Sequence, residues 1–112
     1  MIVKPTRFRV KDGKSRKVDE WMKFPNDNMK DVLVTLEKEK MYVETIFRDE
    51  IADVDYLYWS SVQGERGQEV VESDHWIDKK HLEYWNECID PNYKPVDLQT
   101  EVVMIPDKIK NG

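Results

Sequence analysis

With 112 residues, the chain has room for one hydrophobic core and not for two ordinary ones. Its 23 acidic against 18 basic side chains give a formal charge of -5, which argues against nucleic acid as a partner, because that needs a concentrated basic patch. A lone Cys88 excludes an internal disulfide framework and a multi-cysteine metal cluster, and neither the opening MIVKPTRFRV nor any later run approaches the roughly 18 apolar residues of a membrane span, so the chain is expected to be soluble and cytoplasmic.

Ile2 to Val10 alternates with the period of a half-buried strand. A Lys11-Asp12-Gly13-Lys14 turn follows, and Ser15 is placed to cap a helix whose inward stripe begins Val18, Trp21, Met22. Pro25 should kink or end its first part, since the ring removes a donor and crowds the preceding turn. Met29, Val32, Leu33 and Leu36 resume the stripe to about Lys40. Met41 to Arg48 is rich in β-branched and aromatic residues and reads as a second strand, Asp49 to Asp53 as a hairpin connection, and Val54 to Gln63 as a third strand. In that third strand Tyr56 and Tyr58 face one way, Leu57 and Trp59 the other. Gly64 to Glu72 reads as a flexible acidic loop. Ser73 to Ile89 is an amphipathic helix with Ser73 as N-cap and Ile77, His81, Tyr84, Trp85 and Cys88 on its apolar side. The two prolines of Asp90 to Gln99 exclude regular helix there, and Thr100 to Ile105 reads as a last strand stopped by Pro106.

The order strand, helix, strand, strand, helix, strand predicts an α+β, ferredoxin-like βαββαβ domain over residues 1–106: a four-stranded antiparallel sheet with two helices on one face, followed by a flexible tail at 107–112. The third and fourth strands are apolar or aromatic on both faces. A sheet wetted on one side alternates more cleanly, so the pattern predicts a homodimer through the open sheet face.

The stretches TRFRVKDGKSRKVDEWM (Thr6 to Met22), EKMYVETIFRD (Glu39 to Asp49), YLYWSSVQG (Tyr56 to Gly64), HLEYWNECIDP (His81 to Pro91) and EVVMIP (Glu101 to Pro106) resemble, over nearly the whole chain, a family of small bacterial proteins of uncharacterised function. That family is similar in layout to the dimeric α/β-barrel superfamily, which includes antibiotic-biosynthesis-type monooxygenases, haem-degrading monooxygenases and stress-response barrels. The resemblance implies a dimeric α/β-barrel type of fold and no particular reaction. The helix histidine, asparagine and tryptophan set of the haem-degrading members does not align in full, and no cofactor is implied.

His81 is the candidate catalytic residue, because burial and neighbours can tune a helix histidine toward neutrality, and Asp78 three residues earlier could orient it. The competing reading is a satisfied core histidine. His75 falls on another face, six residues away, so the two histidines do not make a helical metal pair, and no metal site is expected. Tyr56, Tyr58, Trp59, Trp76, Tyr84 and Trp85 are the candidate lining of a pocket for a small hydrophobic or aromatic ligand, though aromatics also dominate ordinary cores. Arg7, Arg9, Glu44 and Arg48 read as paired strand charges, and Cys88 as an inert buried thiol. Two functions fit. The favoured one is a non-enzymatic dimeric module that binds a ligand or a protein; the alternative is a cofactor-independent monooxygenase or isomerase with His81 as base.

Overall fold

The computed structural model describes residues 1–64 and 73–110. The chain runs β1 (Ile2–Arg9), α1 (Ser15–Asp27), α2 (Met29–Lys38), β2 (Met41–Ile51), β3 (Val54–Gln63), α3 (Trp76–Cys88), β4 (Val96–Asp97) and α4 (Asp107–Lys110). Among the described residues the strands form one antiparallel sheet in the order β2-β3-β1-β4. This is the ferredoxin-like α+β arrangement that the element order predicts. The proposed acidic loop lies, from residue 65 to 72, outside the described residues.

Register decides which side chains meet. Thr6 pairs with Trp59 and Trp59 with Ile46, and Phe8 pairs with Leu57, so these rows share the face covered by the helices. Against them pack Val18 and Trp21 of α1 and Tyr84 and Cys88 of α3, closing a core with Val10, Leu57 and Ile89. The opposite face carries the rows Val3, Val62, Val43 and Arg7, Tyr58, Phe47, turned away from the core that α1 and α3 build on Leu57.

Three local readings change. The helix after β1 starts at Ser15 without a side-chain cap; the Ser15 hydroxyl instead donates to Asp55, which also receives Arg48. At the other helix, the cap is His75 and not Ser73: its Nδ1 accepts the Ile77 N–H at 3.2 Å, while the Ser73 hydroxyl accepts the His75 N–H. The fourth strand is Val96–Asp97 beside Thr6 and Arg7, and Thr100 to Ile105 pairs with no strand among the described residues. Propensity marks a segment that can pair, but it does not choose the partner: Val96–Asp97 take the β1 edge at Thr6 and Arg7, Leu98 N–H adds a bond to the Pro5 carbonyl, and the ladder stops there.

Pro25 sits inside α1 and the helix breaks just after it. The Asn28 N–H turns to the Pro25 carbonyl, which would leave the Phe24 carbonyl without its ordinary donor; the Asn28 side-chain amide supplies one at 2.8 Å. Leu36, expected on the buried stripe of this region, is half-buried and lines a cavity instead.

The β2-β3 hairpin closes through Ala52 and Asp53, both with positive φ (51° and 65°), between the paired residues Ile51 and Val54. Two positive φ values in a two-residue loop match the right-handed strand twist, but an alanine is strained there where glycine is not. Ala52→Gly is therefore expected to raise stability by about 0.5–1 kcal/mol, read as a higher denaturant midpoint. A lower midpoint would mean that the turn is not held in this conformation.

Candidate functional site

A cavity of about 970 Å³ lies between the helices and the sheet, in the size range of small-molecule sites. Trp21, Trp59, Trp85, His81, Glu44 and Asp78 carry its chemistry. Each is placed by its element: Trp59 and Glu44 by inward parity on β3 and β2, Trp21 by the buried stripe of α1, and Asp78, His81 and Trp85 by successive steps of three and four along α3. Every residue from Met41 to Arg48 contributes to the lining, so the cavity opens along the edge of β2.

The His81 ring lies 5.5 Å from Trp59, 5.6 Å from Trp21 and 6.1 Å from Trp85, centroid to centroid. Its Nδ1 accepts the indole N–H of Trp21 at 3.2 Å. An indole nitrogen only donates, so Nδ1 must present its lone pair, and the neutral ring carries its proton on Nε2. The orienting partner of His81 is thus Trp21 rather than Asp78. Burial holds the His81 pKa below its usual 6.5, the charge of Asp78 acting in the other direction. At neutral pH the ring is a neutral Nε2–H donor.

Glu44, read from the sequence as a paired strand charge, faces the cavity and accepts the indole N–H of Trp59. Burial pushes its carboxyl pKa up; the Trp59 bond opposes this and the negative charge of Asp78 adds to it. Asp78 is 6% exposed, and its Oδ2 is buried with no hydrogen-bond partner among the described residues. A buried carboxylate oxygen left bare is costly, and the first turn of α3, where the helix dipole favours negative charge, offsets part of that cost. The other strand charges do pair: Arg9 with Asp90 at 2.6 Å, Arg48 with Asp19 and Asp55. Arg7 donates to the Tyr93 hydroxyl and lies over the Tyr56 ring.

The structure divides the six candidate aromatics. Trp59 and Trp85 line the cavity beside His81. Tyr56 and Tyr58 lie on the opposite face of the sheet, since β3 side chains alternate, and Tyr56 packs on Tyr93. Tyr84 is buried between Trp21 and Phe24 with its hydroxyl donating to Glu20, away from the cavity. Trp76 is half exposed at the start of α3, edge-on to Phe24. Trp21, taken from the sequence only as core, is both core and cavity wall. Glu44 was legible in principle, because it sits two residues from Ile46 in a strand and shares its inward parity. Cys88 is fully buried and its thiol is pushed up by burial, an unreactive state. Among the described residues no group of His, Cys, Asp and Glu is arranged to hold a metal ion, and no helix is long and apolar enough to cross a membrane.

His81 and Glu44 make stability depend on pH in opposite directions. With a folded His81 pKa below 6.5, the unfolded chain binds a proton that the folded chain refuses, so stability falls as pH drops from 6.5 through that window. For Glu44 the folded value is raised, so ionisation costs stability as pH rises from 4.5 to that value, and acid removes the cost. His81→Gln is expected to remove the loss just below pH 6.5, checked by melting curves from about pH 8 to about pH 5. A variant curve parallel to that of the wild type would show that His81 does not titrate differently on folding.

Against known proteins, a family of unknown function, DUF6176, matches over residues 1–111. The chain belongs to that family. No curated protein matches this DUF6176 sequence. Among solved structures it is similar to the crystal structure of an L-rhamnose mutarotase from Formosa agariphila, with 15% identity and a TM-score of 0.55, over 95% of this chain and 99% of that one. A likeness at this identity establishes the shared fold.

Proposed function

We propose that the cavity is the active site of a cofactor-independent isomerase that moves protons on a small polyhydroxylated ring, with reducing sugars as the substrate class. The observation that carries this is the bare, buried Oδ2 of Asp78 in the same wall as a neutral His81. A group kept without a partner inside a fold costs stability unless a ligand supplies that partner. The tryptophans offer apolar faces for the C–H side of a sugar ring, and the carboxyls and imidazole meet its hydroxyls. The fold likeness to an L-rhamnose mutarotase supports the same reaction class. On the sequence alone a non-enzymatic module is the favoured reading; the arrangement of these polar groups moves the preference to the isomerase.

In such a reaction the Asp78 carboxylate takes the proton of the anomeric hydroxyl while His81 Nε2–H protonates the ring oxygen. The bond from C1 to the ring oxygen breaks as the C1 carbonyl forms. After rotation about C1–C2, closure on the other face returns one proton to His81 and one from Asp78, so both residues are restored. His81 therefore serves first as acid, a reversal of the role as base that the sequence suggests, because its Nδ1 lone pair is held by Trp21. Glu44, with its raised pKa and its bond to Trp59, holds a ring hydroxyl.

The test is magnetisation exchange between α- and β-anomeric protons in a panel of aldoses that includes L-rhamnose, at catalytic protein concentration. Faster exchange for at least one sugar is expected. Binding of sugars with no acceleration would return the function to a binding module, and neither binding nor acceleration across the panel would remove sugars as the substrate class.

The bare sheet face supports a homodimer as the working unit, since Val43 and Phe47 are each more than half exposed on it beside Val3, Tyr58 and Val62. Light scattering at micromolar concentration is expected to give twice the chain mass; a monomer would rule the pairing out.

A further inference from the structure

The segment Thr100 to Ile105 has the composition of a strand and none of its bonds. Leu98 N–H still donates to the Pro5 carbonyl, but from there to Ile105 no backbone group joins a backbone hydrogen bond among the described residues. Val102, Val103 and Met104 are 68%, 50% and 85% exposed. An exposed apolar segment whose backbone donors and acceptors have no backbone partner can add to a sheet edge.

The same chain offers such an edge. β2 is an outer strand of 11 residues, and its stretch Met41 to Phe47 carries neither the lysine nor the proline that ordinarily blunts a long edge. Tyr42, Val43 and Phe47 stand exposed along it, and Glu44 is turned into the cavity. Within one chain the two cannot meet as neighbours: the arm leaves from β4 at one end of the sheet and β2 is the other end. The arm stays instead near the start of β1, where Thr100, Val103 and Ile105 border a cavity of about 300 Å³ together with Met1 and Val3. Val3 begins the row that runs through Val62 to Val43 across the open face. A second copy stacked on that face about a two-fold axis parallel to the strands puts the β4 end of each sheet over the β2 end of the other, so that each arm reaches the other's β2 and both contacts form at once.

We propose that residues Thr100 to Ile105 of one copy add as a strand to the β2 edge of a second copy, and that the added strand walls the mouth of that copy's cavity. The second half follows from the lining: the cavity opens along Met41 to Arg48, so whatever covers that edge also covers the opening. The active site is then complete only in the dimer. This stands apart from the assignment of a sugar isomerase, because the arm would close the cavity whatever ligand it holds.

Two measurements on the full chain decide it. Hydrogen exchange is expected to show the amides of Thr100 to Ile105, and those of Met41 to Phe47 that point away from β3, protected together at high protein concentration, by roughly tenfold or more, and exposed together on dilution. Separately, Met104→Cys protein is mixed with isotope-labelled Val43→Cys, Thr45→Cys or Phe47→Cys protein and oxidised; a disulfide joining light to heavy chains is expected for at least one pair. Cys88, fully buried, gives no background. A dimer by light scattering whose arm amides stay unprotected would leave the sheet-face pairing standing and overturn arm exchange. A monomer overturns both and leaves the sugar-exchange assay on its own footing.

Discussion

Trp21→Ala is expected to lower stability by about 3–5 kcal/mol, the range for truncating a large aromatic at a packed site. Trp21 is 1% exposed and touches Trp59, Tyr84, Trp85 and His81 at ring-centroid distances of 5.6 to 6.3 Å. The cavity left behind cannot collapse easily, because the sheet below and α3 beside it are both fixed by their own hydrogen bonds. Trp21→Phe separates packing from polarity. It keeps an aromatic ring but deletes the donor to His81 Nδ1, at a cost of about 1–2 kcal/mol, with a free imidazole tautomer as the spectroscopic mark. Denaturant midpoints equal to wild type for the alanine variant would mean that α1 presents another face to the sheet.

Asp78→Asn carries the second large effect and moves two observables in opposite directions. If sugar exchange is catalysed, losing the carboxylate should reduce the acceleration by about 10²- to 10⁴-fold, the span of general acid–base catalysis. Stability should stay level or rise, because the amide buries no charge and Oδ2 gives up no existing hydrogen bond. Loss of activity together with an unfolded or strongly destabilised chain would instead make Asp78 a structural residue, and retained activity would take it out of the reaction.

Much of the fold was legible because each main element carries a local signal that agrees with its surroundings. Strand alternation placed Leu57 and Trp59 opposite Tyr56 and Tyr58, and the helical stripe placed Trp21 and Val18 inward, as the structure has them. Alternation points to Thr100 to Ile105 for the fourth strand and not to Val96 and Asp97, which lie between Pro95 and Leu98 in a segment without alternation and pair with Thr6 and Arg7 through tertiary proximity alone. Of the site, His81 stood out through its residue type and its setting on an apolar helix face. Asp78 entered only as its possible support. Glu44 reads as a paired charge because charged side chains in strands usually find an opposite charge, as Arg9 and Arg48 do with Asp90 and Asp19. Which of the six aromatics share one wall depends on sheet face and helix rotation together, and neither is set by composition.

Cys88 makes this chain its own stability gauge. The thiol is fully enclosed, and the Cys88 carbonyl accepts the Lys11 N–H at 2.7 Å where the end of α3 is tied back to the start of the turn after β1. Cys88 is the last residue of α3, so the thiol is uncovered when that helix end lifts from the core it shares with Val10, Val18 and Leu57. The speed at which an aromatic disulfide reagent labels it, divided by the speed on a short unstructured thiol peptide, is then the fraction of molecules that are open at any instant. That ratio can be followed in dilute buffer at working temperature, with no denaturant and no extrapolation.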